Sequence, residues 1–143
     1  MPRTSSVEQE AVRVAIEYLR AQGLRPKDVS AAKVGYDILA GRTRIEVKGS
    51  LNDRAQNVID IRGACELRWN RSGTKVTVTR TGLSFDALIE VTRIGQPDGP
   101  VVYYYPKSAL EEYGTFWVWT TWRVLVPVKQ RGRYQVRPRR ARQ

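Results

Sequence analysis

Apolar residues near the start of the chain recur at intervals of three and four: Val7, Ala11, Val14, Ala15, Tyr18 and Leu19. That period places them on one face of an amphipathic helix, predicted from Ser5 or Ser6 to Gln22. Ser5 and Glu8 are spaced as a capping box at its start, and Gly23 ends it. After a connection from Leu24 to Ala32 that contains Pro26, the period shortens to two. Val34–Ala40 and Thr43–Lys48 read as strands joined by a tight Gly41-Arg42 turn, and Asn57–Ile61 reads as a third strand. Helix, hairpin and strand make an α-β-β-β opening.

The second half carries shorter signals. Gly63–Trp69 is predicted as a short helix, Lys75–Thr79 and Asp86–Ile94 as strands, and Gly95 to Pro100 as a turn. A strand at Val101–Tyr105, one or two helical turns at Ser108–Tyr113, and extended structure through the aromatic and β-branched run Phe116–Val128 complete the pattern. The expected class is α+β, with extra strands toward the C-terminus. Ile45-Glu46-Val47-Lys48 is faintly echoed by Ile89-Glu90-Val91-Thr92, without similarity around it.

Composition narrows what such a domain can do. A length of 143 residues suits one domain with a real core. The chain has no histidine and one cysteine, Cys65. Imidazole-based nucleophile activation, His-ligated zinc, an internal disulfide and an all-cysteine zinc site are excluded. The polar opening Met1-Pro2-Arg3-Thr4-Ser5-Ser6 and the shortness of every apolar run lead us to expect a reduced, soluble, cytoplasmic protein with no membrane partner.

Charge is strongly positive and unevenly spread. Of the net +11, seven charges lie between Lys129 and Gln143 (Lys129, Arg131, Arg133, Arg137, Arg139, Arg140 and Arg142), which leaves the first 128 residues at only +4. We therefore divide the chain into a domain over 1–128 and a basic tail over 129–143, the latter an arm for phosphate contacts. Arg131, Arg133, Arg137, Arg139 and Arg140 are its candidate contacts. Arg42, Arg44 and Arg54 are further candidates because they flank the hairpin in sequence; ordinary surface charge accounts for them equally well.

The few acids are the more informative charges. On a strand, Glu46 and Lys48 share one face while Ile45 and Val47 share the other, and the hairpin brings Asp37 beside them. Two carboxylates and an ammonium then converge over an apolar layer. Such a donor set suits Mg²⁺ or Mn²⁺, which take oxygen ligands and can activate water for phosphodiester hydrolysis without an imidazole. Lys48 could orient that water or stabilise charge developing on the phosphate. Glu-x-Lys alone is common by chance; the preceding Gly-x-Asp strand, the hairpin and the helix bearing Glu8 give it weight.

In its ordered run of Val7-Glu8, Ala11, Glu17-Tyr18, Gly23, Pro26, Asp28-Val29-Ser30, Gly35-Tyr36-Asp37 and Ile45-Glu46-Val47-Lys48-Gly49, about a third of the chain resembles the PD-(D/E)XK nuclease superfamily. Within it, the run is most similar to the NO VEIN C-terminal type of nuclease-like domain. The resemblance implies a restriction-endonuclease-like α-β-β-β-α-β core and a metal-dependent nuclease acting on DNA. It makes Asp37, Glu46 and the Val47 carbonyl metal ligands, Lys48 the catalytic lysine, and Glu8 an acid completing the site. Tyr36 stands where the motif nominally has proline. Ser72 to Leu83 reads as an insertion, and Glu66 on the predicted second helix is a further acid, more simply read as a surface residue. The implied partners are DNA, with RNA as the other nucleic acid the charge admits, a helicase or other protein, and a second copy of the chain. The competing reading is a non-catalytic nucleic-acid-binding or assembly module that retains the fold.

Eight of the 13 aromatic residues lie between Tyr103 and Trp122. In a chain with two Phe and one Met, these rings are expected to build core more than a base-stacking platform.

Overall fold

The helix and the hairpin expected from the periodicity are both present, and the main sheet grows outward from the hairpin. The computed structural model describes residues 3–32, 34–52, 58–62, 65–80, 84–112, 115–118, 121–125 and 128–136. Helix α1 (Arg3–Ala21) is followed by the short strand β1 (Pro26–Asp28), a 3₁₀ turn (Ser30–Ala32), and the hairpin strands β2 (Ile38–Ala40) and β3 (Thr43–Gly49). Then come β4 (Val58–Arg62), β5 (Cys65–Trp69), β6 (Val76–Arg80), β7 (Ala87–Thr92) and β8 (Val101–Pro106). Helix α2 (Lys107–Glu112), β9 (Thr115–Val118), β10 (Thr121–Leu125), the single turn α3 (Val128–Arg131), a 3₁₀ turn (Gly132–Tyr134) and β11 (Gln135–Val136) complete the chain's elements.

Six strands form one mixed sheet in the order β1-β2-β3-β7-β8-β11. Among the described residues its only parallel contact joins β3 to β7, with Lys48 opposite Glu90, and the other neighbours are antiparallel. Separate from it are a three-stranded antiparallel sheet, β4-β10-β9, and a two-stranded ribbon, β5-β6. This is an α+β architecture, as expected.

Alternation along the central strands divides the sheet into two faces. Ile45, Val47, Ile89, Val91 and Val102 belong to the core that α1 covers with Ala11, Val12, Val14, Ala15 and Leu19. Removing Leu19 from water contributes about 2 kcal/mol by transfer alone. The opposite face buries Leu88, Glu90 and Tyr105. Tyr103 and Tyr105 are buried, Tyr104 packs against the α1 core beside Tyr18, and Tyr134 meets Tyr105. The described aromatic residues of the cluster are thus core residues; the side chains of Tyr113, Phe116, Trp117, Trp119 and Trp122 lie outside the described set.

Two local expectations are corrected. Helix α1 begins at Arg3, so Ser5 lies inside it and not at its cap. The short helix expected over 63–69 is absent where the chain is described: Cys65–Trp69 is strand β5, paired antiparallel with Val76–Arg80. A distant partner with matching apolar and polar positions decided its conformation over a weak helical pattern. The start of the basic tail is folded, since residues 128–136 form α3, a 3₁₀ turn and β11, the last paired with β8. Residues 137–143 lie outside the described residues.

Candidate active site

The site forms where strand β2 leaves β3. Ladder bonding runs up to Asp37, whose N–H donates to the Ile45 carbonyl at 2.9 Å while its own carbonyl accepts from Val29 N–H at 2.9 Å. Beyond this point the chain turns away at Gly35, where φ is +94°. That left-handed conformation favours glycine, and a Cβ would also lie 3.0 Å from Ser84 Oγ. Ser84 Oγ donates to the Gly35 carbonyl at 2.6 Å, tying the turn to the segment that enters β7.

The divergence leaves the next β3 groups without a strand partner. Asp37 Oδ2 fills the gap by accepting from Val47 N–H at 2.8 Å. Because Ile45 and Val47 direct their backbone groups to the same side, the Val47 carbonyl also faces this opening. Asp37 therefore ends one ladder and presents its carboxylate to the start of an open fork.

Glu46 and Lys48, half-buried on β3, stand beside it. Burial pushes the Glu46 carboxyl up to about 8, and a hydrogen bond with Asp37 and the charge of Asp37 act in the same direction. Lys48 and the Val47 backbone oppose the shift. The two carboxylates are thus close enough to compete for a proton, which is what a pair of like charges does without a cation between them.

Helix α1 reaches this fork because of Gly49. A Cβ built there would lie 2.7 Å from Ala11 Cβ and 3.2 Å from the Val7 carbonyl oxygen, so only glycine admits the helix at this crossing. One residue beyond Val7, Glu8 lines a cleft of about 810 Å³ together with Asp37, Glu46, Val47 and Lys48. Glu17 and Arg20 of α1, with Asp28 and Ser30, extend the lining. Arg13 also borders the cleft but is engaged by Glu10 and Glu17. Among the described residues, no three His, Cys, Asp or Glu side chains form a ready ligand group. The acids at the fork are a pair, and Glu8 shares their cleft.

That pair fits a hard divalent ion. Mg²⁺ is commonly held by one or two carboxylates and fills its other positions with water and substrate oxygens. Asp37 and Glu46 provide the carboxylates, and the Val47 carbonyl faces the same opening.

The predicted basic contacts fare differently. Arg42 is exposed in the hairpin turn, four residues and about 13 Å along β3 from Glu46. Arg44 is committed to Asp86: its guanidinium donates to both carboxylate oxygens at 3.1 and 3.2 Å, and its backbone N–H to Oδ2 at 2.9 Å. Arg131 is only 6% exposed, 3.3 Å from Glu90 and 4.7 Å above the Tyr103 ring, so it anchors the tail and is unavailable to phosphate. Arg133 is exposed and donates to Gln130 Oε1. Arg54, Arg137, Arg139 and Arg140 lie outside the described residues. Glu66 belongs to strand β5, not to a helix.

Two supports were missed by sequence reasoning. Asp86 joins Arg44 to Lys107, whose N–H donates to the Asp86 carbonyl at 3.0 Å. Buried Glu90, opposite Lys48, accepts from Tyr105 Oη at 3.2 Å as well as from Arg131. Arg44 and Asp86 lie 42 positions apart, so no local pattern linked them, and Glu90 drew notice only in the faint echo of Ile45–Lys48.

No protein-family model matches the chain, and neither does any curated protein. Its fold is similar to that of a bacterial homing endonuclease, I-Ssp6803I. The two are 17% identical with a TM-score of 0.53, over 99% of this chain and 84% of the other. At that identity the likeness concerns the fold. No helix among the described residues is long and apolar enough to cross a membrane.

Proposed function

We propose that the protein is a Mg²⁺- or Mn²⁺-dependent nuclease of PD-(D/E)XK type that hydrolyses DNA. The observation carrying this reading is the fork at which Asp37, Glu46, the Val47 carbonyl and Lys48 meet in a cleft shared with Glu8. The fold's likeness to a homing endonuclease supports it. So does the charge of the cleft, lined by Glu8, Glu17, Asp28, Asp37 and Glu46 against Arg13, Arg20 and Lys48. An acid-rich wall repels a polyanion unless a cation intervenes.

Asp37 and Glu46 would hold the ion, with the Val47 carbonyl beside them. When bound, a divalent ion supplies Lewis-acid polarisation of the phosphate and a water ionisable near neutral pH. Val47 N–H holds the Asp37 carboxylate in place, which would orient it toward the ion. Lys48, projecting from the same strand face as Glu46, lies within the cleft where it can align the attacking water and stabilise charge developing on the phosphate. Glu8 on α1, which lines the same cleft, would complete the acidic site.

The test is metal-dependent cleavage of single- and double-stranded DNA by wild type and Lys48→Ala. Cleavage that requires Mg²⁺ or Mn²⁺ and is lost in Lys48→Ala is expected; equal cleavage by both would remove Lys48 from the mechanism. The second reading, a non-catalytic nucleic-acid-binding module retaining the fold, rests on the net charge of +11, which binding alone accounts for. It predicts no cleavage by either protein and no calorimetric metal site dependent on Asp37 and Glu46.

A further inference from the structure

The chain leaves β3 at Gly49, one residue after Lys48, and among the described residues next enters the main sheet as β7 at Ala87. Inside this crossover lies the β5-β6 ribbon, which among the described residues pairs with neither sheet. An isolated two-stranded hairpin is marginal on its own, so its presence calls for a use or a support.

Its sequence is two-sided. Glu66, Arg68, Thr77 and Thr79 alternate with Leu67, Trp69, Val76 and Val78, and the register sets Leu67 opposite Val78 and Arg68 opposite Thr77. Apart from Cys65 opposite Arg80, polar positions pair with polar ones and apolar with apolar. One side of the ribbon therefore suits the protein and the other suits water or a polar partner. Over 65–80 there are four basic residues, Arg68, Arg71, Lys75 and Arg80, against the single acid Glu66.

The tip, residues 70–75, is wholly exposed and internally braced. Asn70 Oδ1 accepts from the backbone N–H groups of Thr74 at 3.0 Å and Lys75 at 3.2 Å, while Asn70 Nδ2 donates to Thr74 Oγ1 at 3.2 Å. Ser72 and Thr74 hydroxyls lie 2.8 Å apart. The backbone is thus ordered without burial. Arg71 and Lys75 project from it with no acidic partner among the described residues. Bracing reduces the entropy lost when a partner is gripped, and two unpaired cations specify a polyanion.

We propose that the β5-β6 ribbon enters the major groove of duplex DNA, with Arg71 and Lys75 at its tip contacting phosphates or base edges. The B-DNA major groove, about 12 Å wide, admits a two-stranded ribbon. The inference rests on the nuclease reading for its substrate class and adds an element that grips double-stranded DNA.

The experiment compares the full-length wild type with the Arg71→Ala/Lys75→Ala double variant. Binding to a 30-base-pair duplex is followed by fluorescence anisotropy in EDTA at several salt concentrations, with methyl green as a major-groove competitor. Cleavage in Mg²⁺ is measured in parallel. Both tip side chains are exposed, so the variant should melt with wild type. The expected result is duplex binding about tenfold weaker at 0.1 M salt, with the log–log salt slope shallower by about two. Methyl green should inhibit wild-type binding and have much less effect on the variant. Unchanged duplex affinity and slope would overturn the inference, as would an equal loss on single-stranded DNA or RNA. If cleavage is absent but the duplex-binding differences appear, the ribbon stands and the nuclease reading fails; metal- and Lys48-dependent cleavage with unchanged binding gives the reverse.

Discussion

Replacing Gly49 with alanine should force α1 off the sheet where the proposed site depends on it. The new methyl carbon would lie 2.7 Å from Ala11 Cβ, with the Val7 carbonyl oxygen at 3.2 Å and Ile94 Cδ1 at 3.4 Å. Carbon atoms pack at about 3.5–4.0 Å, so the helix must retreat by roughly 1 Å. Ala11 is fully buried and has no space into which to yield. Overpacking of this kind costs about 1–3 kcal/mol, partly offset by about 0.5 kcal/mol from the stiffer unfolded chain. For a domain of this size, a net loss of about 1–2 kcal/mol lowers Tm by roughly 3–8 °C. Thermal and urea unfolding of Gly49→Ala measure this directly. A double-mutant cycle with Ala11→Gly identifies its cause. Alone, Ala11→Gly should cost about 1 kcal/mol in helix propensity. In the Gly49→Ala background it removes the clash, so the two changes should fall short of additivity by at least about 1 kcal/mol. Additive losses, or a Gly49→Ala protein as stable as wild type, would refute the tight crossing.

Two further outcomes follow from the buried charges. Arg131→Ala should lower stability by about 3–5 kcal/mol, because Glu90 would keep its burial and lose a cationic partner; a loss below about 1 kcal/mol in urea unfolding would show that Arg131 does not anchor the tail. Glu46, lifted to about 8 in the folded protein from its ordinary 4.5, binds more proton when folded than when unfolded between those values. Its contribution to stability is present in full below about 4.5 and is lost as pH rises through about 8, at up to about 1.4 kcal/mol per pH unit. Without added metal, Glu46→Gln should flatten that decline in unfolding experiments at pH 6 and 9; parallel profiles for the two proteins would contradict the assigned proton sharing.

The parts legible in sequence are those built from near neighbours. Helix α1 declared itself by its apolar period, and the β2-β3 hairpin by alternation around Gly41-Arg42. The hairpin then brought Asp37 beside Glu46 and Lys48, which strand alternation put on one side. Distant pairings were less visible. Cys65–Trp69 has too short an apolar pattern to distinguish helix from strand, and its pairing with Val76–Arg80 settled the matter. Arg131 counted as one more tail charge because Glu90, which buries it, lies 41 positions away. Arg44 and Asp86 were hidden from local reading in the same way, 42 positions apart. Gly49 was legible as part of the motif, but its role in admitting α1 required the crossing itself.

The parallel β3-β7 contact has a separate consequence for chain entropy. Its two strands are neighbours in space but are joined through the whole of residues 50–86. Loop-closure entropy rises only with the logarithm of length, so doubling such a connection costs only about 0.6 kcal/mol. The hairpin carrying Asp37, Glu46 and Lys48 closes locally and meets that crossover at its far end, where Ser84 holds Gly35 and Asp86 holds Arg44. Connections of different length and content can therefore be exchanged there at small thermodynamic cost, altering how the molecule holds a target while leaving the carboxylate pair where β2 and β3 put it.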